Sequence, residues 1–69
     1  MNINKLRGKI VENGLTVGQL AERIGIDRAT LYRKMKDGSF TVKEAQSISR
    51  ELSLSTQEVM DIFFTNFVA

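Results

Sequence analysis

Cysteine, histidine, proline and tryptophan are all absent from this 69-residue chain. Without cysteine there is no disulfide staple. Without cysteine and histidine the usual ligands of a transition-metal site are gone, so neither a metal nor a cofactor is expected. The same two absences remove the commonest catalytic base and nucleophile. No glycine-rich phosphate loop compensates, and the carboxylates fall at helix starts or on polar faces, so enzymatic chemistry is not expected. Long apolar runs are missing too. No run exceeds three residues, as in Ile62-Phe63-Phe64, against about 20 residues needed to span a bilayer. The start, Met1-Asn2-Ile3-Asn4-Lys5, lacks the apolar core of a signal peptide. These absences lead to the expectation of a cytoplasmic protein with no membrane partner and no small-molecule ligand. The lack of proline favours helices, which proline would kink or end.

What remains is a globular composition, 42% hydrophobic and 26% charged, expected to form one domain over residues 1–69. The net charge of +2 is unevenly spread. Lys5, Arg7 and Lys9 face only Glu12 in the first fifteen residues. Arg23, Arg28, Arg33, Lys34, Lys36 and Lys43 outnumber Glu22, Asp27 and Asp37 over 16–43. From residue 44 onward Arg50 stands against Glu44, Glu51, Glu58 and Asp61. Cations concentrated ahead of residue 44 are what a phosphate-facing surface needs, although a solvated face can cluster charge as well.

Four places repeat one pattern, in which an apolar residue precedes Ser, Thr or Asp and a second follows four positions after the polar one. They are Leu15-Thr16 with Leu20, Ile26-Asp27 with Leu31, Phe40-Thr41 with Ala45, and Leu54-Ser55 with Val59. The polar side chain can accept from an orphan N–H, and the apolar pair can staple the entry. Gln19, Glu44 and Glu58 at the third helical position complete three capping boxes. Asn13-Gly14, Gly25 and Asp37-Gly38 supply stops. Helices are therefore predicted at 3–13, 17–24, 28–36, 42–52 and 56–64. Their apolar stripes run Ile3, Leu6, Ile10; Val17, Leu20, Ala21, Ile24; Leu31, Met35; Ala45, Ile48, Leu52; and Val59, Ile62, Phe63. The fold class is all-α, a compact five-helix domain. Gly8 and Gly18 lie inside helices at roughly 1 kcal/mol each relative to Ala. Gly18 either permits close approach of a partner or is simply tolerated.

The functional signal lies in 17–36. Ala21 is small where two helices would cross, Gly25 sits at the corner, and Leu20, Ile24, Ile26 and Leu31 are apolar where helices and turn would face the core. So short a connection makes the second helix project, and a helix about 10–12 Å across fits the major groove. On Leu20-Ala21, Gly25 and Leu31, with Ile48 to Ser55 as a fourth helix and the cap of a fifth, the chain resembles the phage-repressor and Cro class of helix-turn-helix regulators. The resemblance covers nearly the whole chain and implies a lambda-repressor-like domain in which helices two and three form the helix-turn-helix. Lys34 departs from it, since the position three after Leu31 is commonly apolar in that class, and Met35 takes over one place later.

At about 100° per residue, Arg28, Ala29, Tyr32, Arg33 and Lys36 share one arc of the third helix, and Leu31 and Met35 share another. The resemblance places base contacts at Arg28, Ala29 and Arg33. Arg donates two bonds to guanine, and Ala29 suits a thymine methyl. Tyr32 contacts a base or a phosphate, or covers the core edge instead. Phosphate contacts are expected from Thr16, Gln19, Lys34, Lys36, Ser39, Thr41 and Lys43, with capping an equal reading for Thr16, Gln19 and Thr41. The class often has a phosphate-gripping glutamine first in helix two, where this chain has Val17. In the tail over 62–69, Ile62 and Phe63 are assigned to the core. Phe64, Phe67 and Val68 are surplus apolar residues and are assigned to a homodimer contact. The partner expected is a double-stranded operator, pseudo-palindromic and read by a dimer, with repression by occluding polymerase implied by the resemblance. The competing function is an antitoxin-like or adaptor module on the same fold, which would have no need of exposed Arg28 and Arg33.

Overall fold

Residues 1–64 are described by the computed structural model, which contains α1 (Ile3–Glu12), α2 (Val17–Ile24), α3 (Arg28–Asp37), α4 (Val42–Glu51) and α5 (Thr56–Phe63). No strand occurs among the described residues. Each element lies within one residue of its expected bounds because the signals that set it are local and chemical. Thr16, Thr41 and Ser55 each accept from the N–H three residues on, at 3.1 Å in every case. Gln19, Glu44 and Glu58 reciprocate onto the cap N–H at 2.8, 2.9 and 2.9 Å. Asn2 caps α1 by accepting from the Lys5 amide.

Two ends differ from expectation. Asp27 has the extended cap backbone but no side-chain capping bond. Its third helical position holds Thr30, so no reciprocal Glu or Gln closes the box. The end of α4 has no glycine to take positive φ, and Ser53 adopts it at φ 51°. The Leu54 amide then bonds the Ser49 carbonyl at 2.9 Å, the wrap a left-handed residue permits.

One face of every helix feeds a single core. Leu6, Ile10, Leu20, Ala21, Leu31, Met35, Ile48, Leu52 and Ile62 are buried together, and Ile24, Ile26 and Phe63 pack against them. Phe40, ahead of α4, meets Phe63 of α5 edge to face with ring centroids 5.7 Å apart. The first and last helices are tied by polar bonds. The Asn2 amide donates to the Ile62 carbonyl at 2.8 Å, Lys5 pairs with Asp61 at 2.8 Å and Lys9 with Glu58 at 2.7 Å. The Lys9 ammonium, followed by the Ser55 amide, pulls the Glu58 carboxyl down to about 2. Asp61 is lowered by Lys5 and then Gln57. Lys9 is raised by Glu58 and then Glu12. With α1 and α5 closed on each other, α2 packs on α3 and α4.

Candidate nucleic-acid interface

The corner between α2 and α3 is built as the sequence requires. Gly25 turns at φ 79°, a region that a side chain disfavours. The Ile26 amide reaches back to the Ala21 carbonyl at 3.0 Å, closing the end of α2. Asp27, itself extended, then caps α3, which starts at Arg28. Ala21 is 1% exposed at the packed face of α2, where a larger side chain would push the two helices apart.

The rotation of α3 follows its sequence pattern. Leu31 and Met35 are buried, while Arg28, Ala29, Tyr32, Arg33 and Lys36 are all exposed. Lys34 is the exception. Its side chain is only 17% exposed, and its ammonium lies 3.1 Å from Glu44 at the start of α4. At a position that the resembled class commonly fills with an apolar residue, the lysine stem covers the core edge and its head is neutralised across two helices. The Glu44 carboxyl is lowered by the Thr41 amide first and by Lys34 as well. Lys34 is thus engaged within the protein, and this ion pair competes with the phosphate contact expected of it.

Ion pairing sorts the other cations in the same way. Lys5, Lys9 and Arg23 are joined to Asp61, Glu58 and Glu51, the last at a loose 3.7 Å. Arg7, Arg28, Arg33, Lys36, Lys43 and Arg50 are exposed, and no carboxylate pairs with them among the described residues. Tertiary structure neutralises much of the acidic C-terminal half internally and leaves these cations to solvent or an external anion. Thr16, Gln19, Thr41 and Ser39 are exposed. Capping does not exhaust the first three, since a hydroxyl hydrogen on Thr16 and Thr41 and the amide hydrogens of Gln19 can still be donated.

Two residues gain significance that periodicity does not reveal. Arg7 of α1 lines a groove of about 350 Å³ with Thr16, Val17 and Tyr32, joining a helix outside the helix-turn-helix to its surface. Gly18 lies under Arg28, as a Cβ there would stand 3.3 Å from the arginine Cδ. Both arrangements join different helices, and only the excess of basic charge in the first fifteen residues hints at the first. A second groove, of about 330 Å³, runs between α4 and α5 and is lined by Val42, Ala45, Gln46, Ser49, Val59 and Phe64. Phe64 is half-buried there. The other two residues assigned to dimerisation, Phe67 and Val68, lie outside the described residues.

Residues 12–38 match a helix-turn-helix family model described as Bacterial regulatory protein, Fis family. The match runs from the end of α1 through α2 and the turn to the end of α3, less than half of the chain. No curated protein and no solved structure matches the chain significantly. The matched family carries a different name from the phage-repressor class, and what the two share is the helix-turn-helix. The chain carries a helix-turn-helix DNA-binding domain, and its described residues are all-α with five helices. Among the described residues no helix is long and apolar enough to cross a membrane, and no cluster of three or more potential ligands could hold a metal ion.

Proposed function

We propose that the protein is a sequence-specific transcriptional regulator of the phage-repressor and Cro kind, reading a pseudo-palindromic operator as a homodimer within the cytoplasm. The observation that carries this reading is the face of α3. It is held rigidly by buried Leu31 and Met35 and presents Arg28, Ala29, Tyr32 and Arg33 outward with no carboxylate neutralising the two arginines. Arg28 and Arg33 donate to guanine, Ala29 meets a thymine methyl, and Tyr32 supports Arg28 from one turn away. Lys36, Lys43, Ser39, Thr16, Gln19, Thr41 and Arg7 hold the sugar-phosphate backbone on either side.

The dimer is assigned to the α4–α5 end. Val42 is 67% and Met60 43% exposed, and the α4–α5 groove containing Val59 and Phe64 is mostly apolar. A twofold contact there would use the same patch on both copies. An adaptor on the same fold remains the competing function. It would not need Arg28 and Arg33 exposed and unpaired on α3, whereas a DNA reader does.

Selection from randomised duplex DNA at two salt concentrations tests the reading. Enrichment of a guanine-containing pseudo-palindrome, with affinity falling steeply as salt rises, is the expected result. Failure to enrich any sequence, with weak binding even at low salt, would replace the regulator by the adaptor.

A further inference from the structure

Arg28 opens the recognition helix, and an arginine in that place has a long, flexible side chain to immobilise before it can read a base. Two features of this chain hold it. Its aliphatic stem lies across the first turn of α2 at Gly18. A Cβ built there would stand 3.3 Å from Arg28 Cδ and 3.8 Å from Cγ, tighter than ordinary packing at the first of these. Its guanidinium carbon lies 5.6 Å from the centre of the Tyr32 ring, one turn along α3, within reach of a cation–π attraction. Tyr32 itself lines the groove it shares with Arg7, Thr16 and Val17.

We infer that Gly18 is a positioning residue for DNA specificity, its missing side chain forming the notch in which Arg28 is laid before DNA arrives. The inference rests on the function proposed above and deepens it. Gly18 touches no base. It acts through Arg28, whose planar donors remain available while the stem rests on α2 and the guanidinium carbon lies over the Tyr32 ring. A glycine in the first turn of a helix is otherwise a liability, since alanine is the better helix former. Replacing it should therefore favour the fold and disfavour the reading, and the two readouts move in opposite directions.

The experiment compares Gly18→Ala, Arg28→Ala and the double variant with wild type. Each is assayed on the duplex selected by the wild-type protein and on duplexes changed one base pair at a time. Gly18→Ala is expected to keep or raise Tm and to lose roughly 2- to 10-fold of its discrimination at the base pair that Arg28→Ala identifies, the scale of ordering one long side chain. Discrimination at other positions is expected to persist. In the Arg28→Ala background the Gly18 substitution is expected to change nothing further, because the side chain it would displace is gone. In the free protein, the Arg28 δ-methylene protons should show an aromatic ring shift that weakens in Gly18→Ala and vanishes in Tyr32→Ala.

Undiminished discrimination in Gly18→Ala would overturn the inference while leaving the regulator reading intact. So would a loss of the same size with Arg28 already removed, or an unchanged methylene shift. If wild type selects no sequence, the function fails instead and takes this role of Gly18 with it, an outcome distinct from the other three.

Discussion

Replacing Lys34 separates a structural lysine from a phosphate-binding one. Double-mutant cycles give an exposed ion pair roughly 0.2–1 kcal/mol, while breaking a fully buried pair costs about 3–5 kcal/mol. Lys34 and Glu44 retain 17% and 20% side-chain exposure, which places their pair between those limits. Lys34→Ala removes both the ammonium and the stem over the core edge, and a cost of about 2 kcal/mol follows. Lys34→Met keeps a stem of similar shape, and Glu44 keeps its bonds to Thr41, so the cost falls to about 1 kcal/mol or less. In a domain of this size 1 kcal/mol moves Tm by about 4–8 °C. Alanine should therefore lower Tm by about 8–16 °C and methionine by at most about half of that, measured by thermal circular dichroism. DNA titrations across salt give the second readout. One lost phosphate contact would flatten the logarithmic salt slope by about 0.9, and Lys34→Met is expected to leave the slope unchanged. A slope flattened by that amount with Tm unmoved would place Lys34 in the phosphate set and refute the packing argument.

Acid should destabilise the fold. Glu58 titrates at about 2 when folded against 4.5 unperturbed, and Glu44 and Asp61 are also lowered. Their stabilisation is complete above the unfolded values and drains away as pH falls toward 2; Lys9, being raised, adds a loss only as pH rises through and beyond 10.5. Tm should be flat across neutral pH and fall at both ends, and a Tm constant down to pH 2 would contradict the ion-pair geometry. Thr41→Ala should cost about 1 kcal/mol through its capping box, whereas Asp27→Ala, which breaks no capping bond, should cost much less by the same denaturation assay. Ser53→Gly should stabilise by about 0.5–1 kcal/mol, since glycine adopts the left-handed turn without the Cβ penalty; a loss of stability would mean that Ser53 contributes something other than its backbone. Arg7→Gln should weaken binding to selected and unrelated duplexes alike and flatten the salt slope by about 0.9, with base preference intact.

Helix number, order and bounds were written in the sequence because their causes act within four residues. Thr16 with Gln19, Thr41 with Glu44 and Ser55 with Glu58 close their boxes whatever surrounds them. The burial of Leu31 and Met35 beside exposed Arg28, Ala29, Tyr32 and Arg33 follows from helical period alone. The helix-turn-helix was likewise legible, in Ala21, Gly25 and Leu31, and the family match falls on that segment. The fates of the cations were not. Lys34 and Lys36 are alike in composition and close in sequence, yet one meets Glu44 across α3 and α4 while the other stays exposed. Lys5 finds Asp61 fifty-six residues away, and Arg28 lies down on Gly18 of the preceding helix. A charge pattern records how many cations a chain has. Which of them are used internally depends on the side chains that packing brings to face one another, and only the tertiary structure decides that.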